Sequence, residues 1–298
     1  MKRLIPLLLL LFTTAFSGNV SAAPFDVFVS ILPQKYFLQK LGGKHVHVLV
    51  MVSPGASPAT YEPKPGQMVA LSTAKAYFSI GVPFEKTWLP RFMGLYKQLP
   101  IIRTDEGITK EPLWNSGVRG RLRGEKTRTG SDIDGLDPHI WTSPSLVMLQ
   151  ARTITDGLSR VDPSHRTDYE ANYRRFIHEL VNLDLEIRKI LLPRSRGKSF
   201  LVFHPSWGYF ARAYDLRQVA IEKEGKAPGP RHLEELIGFA RKNKVRAIFI
   251  QPQFSRKSAE IIARAIGAHV VLADPLTEDW ARNLKDVAAA LRDTLNQP

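Results

Sequence analysis

Four short apolar runs separated by stretches of helical periodicity occupy the first half of this 298-residue chain, and four more occupy the second. This alternation constrains the fold most. Apolar runs of four to seven residues bounded by turn signals fit strands buried on both faces, and helical segments between them fit parallel crossovers. The runs are Asp26–Ile31, Val46–Val52, Ala76–Ile80 and Leu99–Arg103, then Phe200–Phe203, Gln218–Ile221, Ala247–Ile250 and His269–Leu272. Helical patterns follow most of them, as at Gln34–Leu41, Gln67–Thr73, Arg231–Lys242, Arg256–Ile266 and Trp280–Asn296. The expectation is an α/β fold of two lobes, each a parallel four-stranded sheet flanked by helices. At about 150 residues per domain, the length fits two such units.

Between the halves, apolar residues recur every three or four positions from Tyr169 through Tyr173, Phe176, Ile177, Leu180, Leu183 and Ile187 to Ile190. Asp162 offers an N-cap, Pro163 suits the first helical position, and Pro193 is a stop. A helix over this span would be a rod of about 45 Å joining the lobes. The expected division is 23–161 for the first lobe, 162–192 for the linking helix and 193–298 for the second lobe.

The first 22 residues read as an export signal rather than as fold. Lys2 and Arg3 precede an apolar stretch, Leu4 to Phe16, and Val20-Ser21-Ala22 supplies small residues for cleavage. No cysteine follows, so no lipid anchor is expected, and the mature chain is expected in the periplasm. Loss of Lys2 and Arg3 lowers the net charge from +14 to +12. Some of that charge is local: Arg119, Arg121, Arg123, Lys126 and Arg128 crowd residues 117–130, where an exposed loop is expected. This stretch lacks interleaved aromatics, and with the export signal it argues against a nucleic-acid partner.

With no cysteine, disulfides, thiolate metal sites and thiol catalysis are excluded, and any tight transition-metal site must use His, Asp, Glu, Asn or Gln. Ligands of open α/β sheets bind beyond the carboxyl ends of the strands. His204 follows the run Phe200–Phe203, Glu222 follows Ile221, Gln251 follows Ile250, and Asp274 follows Ala273. His139 lies in the constrained Asp137-Pro138-His139-Ile140-Trp141 segment. His139, His204 and Asp274 thus form a candidate metal constellation suited to zinc, with manganese or iron requiring a more open site. His45 and His47 are expected on the solvent face of a strand. His165 and His178 fall on the long helix, His232 starts a later one, and His269 opens a strand away from the site. No Walker loop, strand-borne GxGxxG, HExxH or GxSxG occurs.

Several segments in order carry a resemblance. They are Ser30-Ile31-Leu32-Pro33, Val52-Ser53-Pro54-Gly55-Ala56-Ser57-Pro58, Tyr61-Glu62-Pro63, Asp137-Pro138-His139-Ile140-Trp141, Phe203-His204-Pro205 with Gly208-Tyr209, Tyr214-Asp215-Leu216 and Ala273-Asp274-Pro275-Leu276. Together the sequence resembles the zinc/manganese family of ABC-transporter solute-binding proteins, of ZnuA and TroA type. The resemblance implies two α/β lobes joined by a long helix, with one metal in the cleft. It maps three family ligands onto His139, His204 and Asp274, and a His at 204 resembles the zinc branch. The family's first ligand, a His in the Pro-rich loop, does not map, because Ala59 stands there and cannot ligate. Gln251 stands where the family carries a Glu behind the metal, and Glu62 or Glu222 could assist.

The expected function is a periplasmic receptor that hands zinc to an inner-membrane ABC permease, working as a monomer and without enzymatic activity. Lobe one would supply His139, and lobe two His204 and Asp274. Two other classes fit parts of the pattern: a receptor for a metal–chelate or anionic solute, and a zinc-dependent hydrolase using an open coordination position.

Overall fold

The computed structural model describes residues 23–113, 135–192, 195–222 and 228–295. The export signal and the Arg-rich stretch 117–130 lie outside these residues. The chain is α/β with two parallel four-stranded sheets. In the first lobe, β1 (Phe25–Val29), β2 (Val46–Val50), β3 (Ala76–Ser79) and β4 (Ile101–Arg103) take the order β2-β1-β3-β4. In the second, β5 (Ser199–Val202), β6 (Arg217–Ala220), β7 (Ala247–Ile250) and β8 (His269–Leu272) repeat it as β6-β5-β7-β8. All eight strands lie within a residue or two of the apolar runs.

The connecting helices are α1 (Leu32–Gly42), α2 (Pro65–Leu71), α3 (Pro83–Leu95), α4 (Pro144–Val161), α5 (Arg166–Leu191), α6 (Gly208–Ala213), α7 (Pro230–Lys242), α8 (Arg256–Ile266) and α9 (Trp280–Leu295). Three of them, α3, α4 and α6, lie outside the segments expected above. α3 carries Pro90 in its interior, which removes one helical hydrogen bond. α4 buries Val147, Ala151, Ile154 and Leu158 and packs antiparallel on α5 across the short turn at 162–165. The long element is therefore one arm of a helical hairpin.

Three local expectations are corrected. α5 is 26 residues long, about 39 Å rather than 45 Å. Asp162 does not cap it. A 3₁₀ turn, Pro163–His165, intervenes, and the Asp162 carboxylate accepts from Ser164 Oγ, His165 Nδ1 and Tyr169 OH. His45 is not on a solvent face. It precedes β2, is buried, stacks on His165 with ring centroids 3.9 Å apart, and pairs with Asp168 at 2.8 Å. His47 is exposed as expected and pairs with Asp26.

The period-two alternation of the second sheet divides the core. Phe200, Val202, Ala247 and Phe249 face a core that runs on through the helical hairpin into the first lobe. Leu201, Phe203, Ile248 and Ile250 face the opposite way, under Leu236, Ala240, Ala259 and Ile262 of α7 and α8. α9 lies on α5, so the last helix of the chain returns to the centre. Its first residue, Trp280, meets Phe37 of α1 edge-on at 4.9 Å.

The first sheet carries a buried polar network at its carboxyl edge. Glu85, at the start of α3, accepts from Ser30 Oγ and from the Ile80 and Gly81 amides, while Tyr77 OH donates to Ser30 Oγ. Burial pushes the Glu85 carboxyl up to about 7, against the pull of these donors.

Candidate metal centre

The carboxyl ends of the second sheet and the Asp137–Thr142 segment meet at the seam between the lobes. His204 lies two residues beyond β5 and His139 just before a 3₁₀ turn at Ile140–Thr142. Their ring centroids are 5.4 Å apart, at 74°. This is the pair that the structure brings together.

Each imidazole is fixed by a carboxylate. His139 Nδ1 lies 2.6 Å from Asp137 Oδ1, which also accepts the His139 amide at 2.9 Å. His204 Nδ1 lies 2.6 Å from Glu222 Oε1. Both carboxylates are buried. A carboxylate only accepts, so a neutral ring beside it carries its proton on Nδ1 and leaves Nε2 as a free lone pair. Such carboxylate–histidine pairs set tautomer and orientation in metal sites. Burial lowers the His139 pKa, and the neighbouring His204 adds to that, against the pull of Asp137. The shift favours the neutral ring, the form that ligates.

The close approach of Asp137 is permitted locally by Gly208, where a Cβ would sit 2.8 Å from Asp137 Oδ2. The Tyr209 hydroxyl then spans the lobes, donating to Asp137 O at 3.0 Å and accepting from the Glu111 amide at 2.9 Å.

Asp274 stands two residues beyond β8. Its Oδ1 accepts the Leu276 amide at 2.9 Å, and burial raises its pKa against that bond and one from Gln253. Among the described residues no three His, Asp or Glu side chains are grouped so as to hold a metal ion as they stand. Asp274 is thus at the right end of the sheet but not clustered with the histidines. Gln251 is buried and turned to the backbone: its Nε2 donates to His204 O at 3.0 Å and to Ser206 Oγ at 2.6 Å. Glu62 and Ala59 are exposed on the Pro-rich loop. That loop is pinned to the start of α3 by Phe84 N to Pro58 O at 2.9 Å and by Tyr61 packed edge-on to Phe84. Neither residue joins the histidines.

Phe254 and Asp137 belong to the site but were not among the candidates read from the sequence. Phe254 stacks on His204 with centroids 5.2 Å apart and planes at 23°. An aromatic three residues beyond Gln251 carries no metal signature. Asp137 does carry one, two residues before His139.

The family profile of the zinc-uptake complex component A, periplasmic, termed ZnuA, matches residues 27–295. The chain belongs to this family. Among ZnuA-like structures, a crystal structure of ZnuA is 43% identical, with a TM-score of 0.82, covering 92% of this chain and all of that one. A ZnuA deletion mutant with zinc bound gives the same figures. A putative metal-binding protein of Treponema pallidum is 30% identical over 82% of this chain and 77% of its own length. The high-affinity zinc uptake protein ZnuA of Bacillus subtilis is 23% identical over 96% of this chain and 88% of its own. No helix among the described residues is long and apolar enough to cross a membrane.

Proposed function

We propose that this protein is the periplasmic receptor of a zinc ABC uptake transporter and carries the ion at the seam between its lobes to an inner-membrane permease. The observation that carries the reading is the His139–His204 pair, each ring backed by its own buried carboxylate. Zinc, a borderline-soft ion, suits two imidazoles plus a carboxylate oxygen. His139 and His204 supply Nε2, and Asp274 supplies the third donor once its carboxylate turns from the Leu276 amide. Ala59 leaves the fourth position to water. The lobes divide at the linking segment 162–192, which contains α5 (Arg166–Leu191), so neither lobe alone holds the ion. The chain acts as a monomeric carrier rather than an enzyme, with residues 1–22 removed on export.

Zinc titration of the untagged mature chain by calorimetry tests this, with His204→Ala and Ala59→His beside it. One zinc per chain is expected, with at least about a hundredfold loss in His204→Ala and tighter binding in Ala59→His. Undiminished binding in His204→Ala would refute the assignment of the site.

A further inference from the structure

We propose that the Trp141 indole is a positioning residue that ties the Asp137–Thr142 segment of one lobe to the Ala273–Leu276 segment of the other. It thereby sets the spacing between the ligands each lobe offers. The proposal deepens the receptor reading above and rests on it.

Two hydrogen bonds close a ring across the seam. Trp141 Nε1 donates to Pro275 O at 2.7 Å, and Trp280 Nε1 donates back to Trp141 O at 2.7 Å. The two acceptors lie two residues from His139 and one from Asp274. Both indoles are about 1% exposed, so neither bond competes with water. Trp280 is itself held in the first lobe by the rings of Tyr36 and Phe37. The Asp274 carbonyl is held from α9 by Asn283 Nδ2 at 2.8 Å. The Trp141 ring packs on the His139 ring at 5.1 Å. A displacement of Pro275 therefore acts on His139 through one buried bond and one ring contact.

Bulk alone does not require these donors. Trp207 is equally buried in the same core, and its Nε1 has no hydrogen-bond partner among the described residues. The two seam indoles differ in that each donor meets a carbonyl of the opposing segment. Leaving such a buried carbonyl unpaired is costly, so the ring of bonds holds or fails as a unit.

The test uses Trp141→Phe, which keeps an aromatic ring and removes the donor, with Trp280→Phe as the variant that breaks the return bond. Amide hydrogen exchange is measured without metal, and zinc dissociation with a chromogenic chelator. In either variant, exchange should rise about tenfold in 137–142 and 273–276 while β3 and α8 stay unchanged. Zinc should leave about tenfold faster. The double variant should cost little more than either single one, since the bonds form one ring. Unchanged exchange at 273–276, a uniform rise across the chain, or unchanged zinc dissociation in a folded variant overturns the proposal and makes the indoles packing groups. Absence of zinc binding in the wild type would overturn the receptor reading instead. The exchange pattern would then decide the tie between the segments by itself.

Discussion

His139 and His204 each commit Nδ1 to a buried carboxylate, and that single choice leaves Nε2 of each neutral ring as a lone pair able to ligate. Glu222→Ala frees the His204 ring to rotate and removes a negative charge behind it. Zinc affinity should fall by about 10- to 100-fold with the fold intact, measured by chelator competition and circular dichroism. Glu85 makes a different prediction, on stability. Burial raises its folded carboxyl to about 7 from an unfolded value near 4.5. The folded state therefore binds more protons than the unfolded state between these limits. The stabilisation is fully present below pH 4.5 and is lost as pH rises through 7. Urea titrations of wild type and Glu85→Gln should differ in slope over that window, by on the order of 3 kcal/mol in total. His139 acts in the opposite sense, since its lowered pKa gives stability above pH 6.5 that is lost on acidification. His139 and His204 were legible as candidates because one sits in a Pro-constrained segment and the other at a strand's carboxyl end. The burial of His45 was not, because its partner Asp168 is distant in sequence and only the fold brings them together.

Among the elements, α8 has the bounds that periodicity gave, because both ends carry local chemistry. Ser255 Oγ accepts the Ser258 amide, and Gly267 takes the left-handed conformation that stops the helix. α4 has no comparable C-terminal stop, and its buried face includes Ala151 and Gly157, which dilute an apolar stripe still visible at Val147, Ile154 and Leu158. Gly157 is small for a packing reason. A Cβ there would lie 2.8 Å from Ile102 Cγ2 and 3.0 Å from Phe78 Cε1, where α4 crosses the first sheet. Gly157→Ala gains about 1 kcal/mol of helix propensity but overpacks that contact. The net effect should be destabilisation by about 1 to 2 kcal/mol in thermal or urea unfolding. An unchanged or raised midpoint would mean that the sheet yields at Ile102.

Across the whole molecule, two sheets of one topology share a core through the α4–α5 hairpin, and α9 closes back onto it. The sequence pattern carried the class, the eight strands and the long helix, because all are periodic. It did not carry the seam, where Tyr209 meets Asp137 and Trp141 meets Pro275 across 72 and 134 residues. Such contacts have no period. They are also where the candidate centre sits: Asp274 is held locally by the Leu276 amide, but Gln251 is oriented by His204 O and Ser206 Oγ, which no local motif announces. X-ray absorption of the zinc-loaded mature protein tests the central claim most directly. Two imidazoles with oxygen donors completing a four-coordinate shell are predicted, falling to one imidazole in His139→Ala. Zinc held without imidazole, or by three imidazoles, would contradict it.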